Sequence, residues 1–560
     1  MANDIQIKRH TKQINENTAV YTYEAVNKGD KAVRAEEAVC WSGEMPYAAE
    51  TPLYGEGHTM LSQYEGTVGK VRCITNHSDK EHYRYPSAEG MTAVYNMLLF
   101  QPHGEDAELW GFTSANRFSG EIRFNTQRYE IVQRLYGIEL APGEKAELES
   151  FCVIKGEKNE CLAQFSKLIS EHHPALPVKE EPVGWCSWYC FGSEVTRKDI
   201  ESNMDYIVQN MPELKYIMID DGYQDKMGDW LVDRPDFGSL KELCHAIKEK
   251  GLEPAIWVAP FIAEKDSRIF QEHPEYFVQD EDGTPLASDK YSFGGWRRGP
   301  WYMLDGTHPG AREYLKTVFS TMREEYRCRY FKLDANAWGE MPFGKRYDSN
   351  KTAVEAYRMG MKAILEATGP DAFLLGCNAP MWASIGVVHG MRVSEDINRI
   401  WKTFQMVSKE TLSRNWQNRA LWLNDPDCLV LAQGLSFGQK SESELSENEF
   451  DFMAAYIFAS GGNILSGDDL PGLSPKRADL LRRLIKLQGG TAQFDGNDFS
   501  LGRMEYQGHR YLTLLNADDS AKEFDIPAGP DGYLDIILMK RGHRRKIVLP
   551  PHSGKILEIL

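Results

Sequence analysis

The chain has 560 residues, 42% hydrophobic and 26% charged, the composition of a globular protein that is too long for one hydrophobic core. Its 64 basic and 82 acidic residues give a formal net charge of −18, which argues against nucleic acid or an anionic membrane as a partner. No run of about 18 apolar residues predicts a membrane span, and the first residues, MANDIQIKRHTK, lack the apolar core of a signal peptide. We therefore expect a cytoplasmic protein that binds a small neutral molecule; a homo-oligomer is compatible with the sequence.

The first 175 residues predict a β-sandwich domain. Short β patterns such as AVYTYEAVN and MTAVYNMLLF alternate with turn residues, and helical periodicity is scarce. The segment that follows, EHHPALPVKEEPVG, is charged and contains three prolines, which is typical of a linker.

Residues 176–489 predict a (β/α)8 TIM barrel, because apolar strand patterns alternate with amphipathic helical patterns eight times. The eight strand segments are VGWCSWY, YIMIDDGY, PAIWVAP, RYFKLDAN, AFLLGCNA, VVHGMRVSED, RALWLNDPDC and GGNILSGDD. Residues 490–560 return to short β patterns and predict a small C-terminal β domain. The predicted fold class is thus multidomain α/β.

Polar and aromatic residues follow each predicted strand, where a TIM barrel places its catalytic groups. They are Trp185 and Trp188, Asp220 and Asp221, Trp257, Lys332 and Asp334, Cys377 and Asn378, Arg392 and Asp396, Asp425 and Asp427, and Asp468 and Asp469. The ten cysteines are scattered, and the one close pair, Cys186 and Cys190, lacks a CxxC motif. We therefore expect buried free thiols, no metal and no cofactor.

The fourth strand segment, RYFKLDAN, places charges in an apolar strand. Side chains alternate between faces, so Lys332, Asp334 and Asn336 share one face. Buried charge is unfavourable unless it is paired. A structural ion pair is one interpretation, and a fixed carboxylate at a functional rim is the one we favour.

Two carboxylates on the fourth and sixth strands are what glycoside hydrolysis needs, one to attack the anomeric carbon and one to protonate the leaving oxygen. Lys332 favours the ionised form of Asp334, which makes Asp334 the better nucleophile. Asp396 is then the general acid and base, although nearby Arg392 opposes the raised pKa that an acid needs.

The remaining candidates each have a purely structural interpretation as well. Asp220 and Asp221 could cap a helix, but two acceptors at a barrel mouth suit sugar hydroxyls. Trp185 and Trp257 are packing residues or substrate-stacking walls. The motifs NDPDC and SGDD serve equally well as caps or turns, so we leave them outside the site.

The motifs GWCSWY, IDDGYQ, IWVAP, YFKLDAN, RVSED and LNDPDCL, in this order, resemble glycoside hydrolase family 36, the bacterial and plant α-galactosidases. The resemblance implies a retaining, exo-acting enzyme that cleaves terminal α-galactosyl groups of melibiose- or raffinose-type sugars. It implies the same three-domain architecture, with Asp334 as nucleophile and Asp396 as acid/base. It also implies galactose binding by Asp220, Asp221, Lys332, Arg392, Trp185, Trp257 and Cys377.

One departure concerns the sequence CNAPMWASIG from Cys377 onward, which lacks the glycine-rich loop of the larger tetrameric family members. This departure leaves open the pocket for the 2-substituent of the sugar and the oligomeric state. An α-N-acetylgalactosaminidase on the same scaffold is therefore an alternative. The sequence is also compatible with a raffinose-synthase-like transglycosidase and with a non-catalytic sugar-binding module. The aromatic residue that some members lend from the N-terminal domain has three candidates here: Trp41, Tyr54 and Tyr64.

Overall fold

The computed structural model describes residues 4–86, 88–436, 439–440, 444–527 and 531–560, and of residues 435–440 no side chain is described. Among the described residues, no helix combines the length and the apolar character of a membrane span. All ten cysteines are free thiols, and all but Cys73 are buried.

The N-terminal region is one hydrogen-bonded network of twelve strands. These strands pair antiparallel, as Ile5–Asn15 does with Thr18–Asn27. The central strands are buried along their whole length, whereas the first strand is mostly exposed. The strands are Ile5–Asn15, Thr18–Asn27, Val33–Glu44, Pro52–Glu56, Gln63–Thr67, Lys70–Cys73, Thr92–Phe100, Ala107–Phe112, Ser119–Phe124, Arg128–Leu140, Lys145–Glu147 and Phe151–Gly156.

A nearly closed, barrel-like sheet of eight parallel strands follows. All eight predicted strand segments are present, and they lie side by side in sequence order, with the eighth beside the first. They are Val183–Cys186, Tyr216–Ile219, Glu253–Val258, Tyr330–Leu333, Phe373–Gly376, Gly390–Arg392, Leu423–Asp425 and Ile464–Ser466. Between the seventh and eighth strands, isolated backbone hydrogen bonds take the place of regular strand pairing. One of them runs from Asn463 N to Asn424 O at 3.0 Å.

Helices connect these strands. A capping box begins the helix Arg197–Asn210, because the Thr196 hydroxyl accepts from the Asp199 amide while the Asp199 carboxylate accepts from the Thr196 amide. The α-helices in the described part of the chain are Asp79–His82, Lys158–His172, Trp188–Phe191, Arg197–Asn210, Leu240–Glu249, Arg268–Glu272, Pro309–Glu324, Ala353–Thr368, Met381–Ser384, Trp401–Ser413, Glu447–Ser460 and Pro475–Lys486. Two short strands, Ile262–Ala263 and Tyr302–Met303, pair within the long insertion after the third strand.

The C-terminal region contains a six-stranded sheet and a separate two-stranded one, with a hydrophobic cluster of its own around Leu514 and Leu557. Its strands are Gln493–Phe494, Leu501–Tyr506, His509–Asn516, Lys522–Asp525, Tyr533–Asp535, Lys540–Gly542, Lys546–Leu549 and Ser553–Ile559. Leu435–Ser436 and Gln439–Lys440 form one more short pair.

The N-terminal region packs on the carboxyl end of the barrel-like sheet. Arg414 Nη2 lies 2.7 Å from Glu56 Oε2, and neither side chain is exposed at all. Thr59 forms a β-bridge with Pro380, just after the fifth strand. The face where the strands end is therefore partly covered by residues from the beginning of the chain.

Candidate active site

Asp334 comes directly after the fourth strand, and neutral donors hold its carboxylate. Trp257 Nε1 donates to Oδ2 at 3.0 Å, and the Ala335 amide donates to Oδ1 at 2.6 Å. Ala335 has a left-handed backbone, φ 51°, which is unfavourable for a residue with a Cβ and is typical of functional sites. The Asp334 carboxylate is thus fixed in place without a salt bridge in the described part of the chain.

Lys332 has a different partner from the one that strand alternation suggests. Its Nζ donates to Asp220 Oδ2 at 2.9 Å, across from the fourth strand to the end of the second. Burial lowers the pKa of Lys332, but the Asp220 carboxylate raises it by more than burial lowers it. The pKa is therefore well above its ordinary value, and the ammonium stays charged. The interpretation of a same-strand ion pair with Asp334 is therefore wrong, although the side chains do share a face.

Burial and charge act in opposite directions on Asp334. Burial raises its pKa, while Lys332 and the Trp257 hydrogen bond lower it, and the net result is a pKa above the ordinary value of 3.8. The lysine does favour the ionised form, as predicted. Burial outweighs it, which the sequence did not indicate.

Asp396 lies in the loop after the sixth strand and contacts Arg392, whose Nη2 donates to Oδ1 at 2.8 Å. The Asp396 side chain is 44% exposed, whereas Arg392 is fully buried. Burial raises the pKa of Asp396, but Arg392 and Lys332 together lower it below the ordinary value. The predicted opposition between Arg392 and a raised pKa is thus present in the structure.

Asp427, which lies outside the predicted site, contacts the residues around Asp396. Its Oδ2 accepts from the Ile397 amide at 2.7 Å and also from Arg392 and Tyr189. Burial is the main cause that raises the pKa of Asp427, to about 6, despite the neighbouring Arg392. Asp427 is therefore a buried carboxyl that anchors both Arg392 and the backbone next to Asp396.

Asp220 and Asp221 are almost completely buried, at 2% and 1% exposure. Asp221 accepts from Gln224 Nε2 at 2.7 Å and from both Nε and Nη2 of Arg297. Gly222 then turns the chain with φ 134°, where a Cβ would lie 2.6 Å from the Ser193 carbonyl oxygen. The two carboxylates are thus fixed acceptors, each with its own cation.

The two tryptophans of the predicted site differ in role. The Trp257 indole bonds to Asp334, while Trp185 is fully buried and donates to the backbone oxygen of Asp468 at 2.8 Å. These contacts favour packing for Trp185. Cys377 is buried, and burial raises the pKa of its thiol, with a further contribution from Asp334. Among the described residues, no group of three His, Cys, Asp or Glu is arranged to hold a metal ion.

Comparison with known proteins adds to this geometry. The family model called Melibiase matches residues 155–375. We call residues 155–375 the melibiase segment. This melibiase segment contains Asp220, Asp221, Lys332 and Asp334, and it ends before Cys377 and Asp396.

Parts of this chain are similar to curated proteins, and its fold is similar to that of solved structures. An A type blood α-D-galactosamine galactosaminidase of Flavonifractor plautii is 30% identical over 192 residues, 31% of this chain and 17% of that protein. The α-galactosidase Mel36A of Lactobacillus acidophilus is 21% identical over 388 residues, 60% of this chain and 50% of that protein. The alignments thus span half of these relatives' length or less. A solved structure of the α-galactosidase TtGalA of Thermus thermophilus superposes with a TM-score of 0.69 at 20% identity, over 90% of this chain and 98% of that one.

Tyr83, an N-terminal aromatic residue that is not among the predicted candidates, contacts residues that follow the fourth and fifth strands. Its hydroxyl donates to Asn378 Oδ1, and its ring packs edge-on against Trp338 at 5.6 Å. Trp41 instead packs on Tyr21 and Tyr129 within the N-terminal sheet. Tyr54 and Tyr64 bond to Glu56 and Asp79 of their own region.

Arg297, Asp427 and Tyr83 are the site residues that sequence reasoning missed. Arg297 lies in the irregular insertion, in the sequence GGWRRGPW, where no periodicity indicates which face a side chain occupies. Its neighbours Gly294 and Gly295, both with positive φ, are the local sign of a special backbone there. Asp427 belongs to the motif NDPDC, whose residue types fit a cap or a turn as well as a site.

Proposed function

We propose that this protein is a retaining, exo-acting α-galactosidase that hydrolyses terminal α-galactosyl groups of melibiose- or raffinose-type sugars. The observation that carries the proposal is a carboxylate after the fourth strand and another after the sixth, beside a buried pair of acceptors on the second. The melibiase match of residues 155–375 supports it. We further propose a β-sandwich at 1–175, a (β/α)8 barrel at 176–489 and a β domain at 490–560.

In the proposed reaction, a carboxylate oxygen of Asp334 attacks the anomeric carbon as the bond to the glycosidic oxygen breaks. Asp396 gives its proton to that oxygen, and the aglycone leaves as an alcohol. Asp396 then takes a proton from water, which attacks the same carbon and releases Asp334. The hydrogen bonds from Trp257 and Ala335 leave Asp334 oriented, and the absence of a salt bridge in the described chain leaves its charge available.

The low pKa of Asp396 in the unliganded protein sets a requirement on this step. The pKa of Asp396 must rise before its carboxyl holds a proton at neutral pH. It rises if the charge of Arg392 is screened, or if the carboxyl is removed from contact with solvent water. A bound aglycone supplies the second change, because the Asp396 side chain is 44% exposed before it binds. Substrate binding therefore raises the pKa of the acid at the moment the proton is needed.

Asp220 and Asp221 are the proposed readers of the axial 4-hydroxyl and the 6-hydroxyl, with Lys332, Arg392, Trp257 and Cys377 around the ring. Buried acceptors that lose their hydroxyl partner are left unsatisfied, which disfavours glucose at this position. A polar site of this type discriminates by roughly 10⁴-fold.

The direct test compares p-nitrophenyl α-galactoside with the α-glucoside and follows the product by NMR. We expect α-galactose as the first product and at least about 10³-fold slower cleavage of the glucoside. β-Galactose as the first product would exclude the double displacement. Similar rates for both sugars would exclude the galactose assignment.

A second candidate is hydrolysis of α-galactosamine or α-N-acetylgalactosamine derivatives. The similarity to the Flavonifractor plautii galactosaminidase favours it. Parallel assays of p-nitrophenyl α-galactoside, α-galactosaminide and α-N-acetylgalactosaminide decide between the substrates.

A further inference from the structure

The loop that carries Asp396 is held at the residues on either side of it. The Glu395 amide donates to Glu410 Oε2 at 2.7 Å, and the Ile397 amide donates to Asp427 Oδ2 at 2.7 Å. Glu395 and Ile397 are buried, whereas Asp396 itself extends into solvent. The backbone that carries Asp396 is therefore held by what its two neighbours contact, while Arg392 bonds to the carboxyl itself.

The Glu395 side chain is held by the N-terminal region. Its Oε1 lies 2.5 Å from His77 Nδ1 and accepts from the Asn76 amide at 2.9 Å. The glutamate side chain is 7% exposed and the histidine 34%. The segment with His77 is itself fixed, because the His77 amide donates to Thr75 Oγ1, which in turn donates to the Leu61 carbonyl oxygen.

We propose that His77 is a positioning residue for Asp396: through Glu395 it holds the Asp396 carboxyl opposite the glycosidic oxygen. The inference rests on the proposed function of Asp396 as the general acid and base. It makes the N-terminal region part of the proton-transfer apparatus, although no hydrogen bond in the described part of the chain joins His77 to Asp396.

A positioning role has a kinetic signature that a general loss of structure lacks. Protonation matters when the leaving group is a sugar alkoxide, a strong base, and matters little when it is 2,4-dinitrophenolate, a weak one. A displacement of about 1 Å at a reacting group lowers the rate by roughly 10²-fold. Loss of the His77 contact should therefore slow cleavage of a disaccharide far more than cleavage of the dinitrophenyl galactoside.

The experiment uses the full chain with His77→Ala, His77→Asn and His82→Ala. Asparagine places an amide N–H near the position of Nδ1 and so retains the donor to Glu395. His82 is the matched control, since its ring packs on that of His77 at 4.1 Å and no hydrogen bond in the described part of the chain joins it to Glu395. For each variant we would measure kcat/KM on melibiose and on 2,4-dinitrophenyl α-galactoside, and hydrogen exchange of residues 394–398.

We expect His77→Ala to lower kcat/KM on melibiose by about 10- to 100-fold, with less than about a threefold change on the dinitrophenyl substrate. His77→Asn should recover most of the loss, and His82→Ala should leave the ratio of the two substrates unchanged. An equal decrease on both substrates, or no decrease at all, would overturn the inference.

The failure of the proposed function is distinguishable from this result. If the parent protein cleaves neither galactoside, the α-galactosidase assignment is wrong. Hydrogen exchange then tests by itself whether His77 holds the loop that carries Asp396. Faster exchange at 394–398 in His77→Ala than in His77→Asn would support the hold on the loop. Equal exchange in the parent and both variants would exclude it.

Discussion

Two pairs of aspartates at the same end of the barrel-like sheet differ in how their charge is balanced. Asp220 and Asp221 are buried, and each contacts a cation, Lys332 or Arg297. Asp334 contacts only neutral donors in the described chain, and Asp396 contacts Arg392 but is partly exposed. Carboxylates that are paired and buried act as fixed acceptors, whereas the less constrained pair retains the freedom to exchange protons and form bonds.

The largest expected effect follows from removing the least compensated charge. Asp334→Ala should lower turnover of an α-galactoside by at least about 10⁴-fold, the scale of losing a nucleophile. Because no cation in the described chain depends on Asp334, the melting temperature should change little. Added azide should partly restore turnover and give β-galactosyl azide as the product. Wild-type activity in this variant would contradict the assignment of Asp334 to the reacting pair of aspartates.

Asp221→Asn should have the next largest effect, roughly a 10²-fold loss of galactoside turnover. The amide keeps the shape but loses one acceptor and leaves Arg297 without its carboxylate partner. Steady-state kinetics measure the loss, and circular dichroism checks that the variant is folded. An unchanged rate would mean that Asp221 only supports the structure.

Arg297→Lys should lower kcat/KM by about tenfold, because a lysine cannot make both bonds of the bidentate contact with Asp221. The control is Arg298→Lys, since Arg298 contacts Glu264 and the Asp225 carbonyl oxygen instead. Equal losses in the two variants would point to the insertion as a whole rather than to Asp221.

The smallest effect on rate, but a distinct one on pH dependence, is expected for Trp257→Phe. The indole N–H stabilises ionised Asp334, so its removal raises the pKa of that carboxyl further. Asp334 must be ionised to attack, so activity falls as the pH drops through its pKa. The acid limb of kcat/KM should therefore move to higher pH.

Trp185→Phe is the matched control for this shift. It also removes a buried indole N–H, but one that donates to a backbone oxygen and not to a titrating group. The acid limb of kcat/KM in this variant should lie at the same pH as in the parent protein. A shift of the same size in both variants would contradict the assignment of Asp334 as the titrating group.

Much of this arrangement was predictable from the sequence, because it follows from local rules. Strand periodicity indicated all eight barrel strands and the residues that follow them, among them Asp220 and Asp334. Side-chain alternation correctly placed Lys332 and Asp334 on one face. It could not show that the nearest partner of Lys332 belongs to another strand, since neighbours across a sheet depend on how strands register.

The rest depends on contacts between distant parts of the chain. His77 meets Glu395 across 318 residues, and Tyr83 meets Asn378 across 295. No local pattern encodes such pairings. The missed roles of Arg297 and Asp427 have the same origin, because both act through residues from other loops.

The ion pair between Glu56 and Arg414 bears on how the protein is made. During synthesis the glutamate emerges from the ribosome 358 residues before its arginine. Until residue 414 is made, the Glu56 carboxylate lacks this cation, and burial of a carboxylate without one is strongly unfavourable. Completion of this region must therefore wait for residue 414. For the same reason, a fragment that ends before Arg414 lacks the cation that its own Glu56 requires.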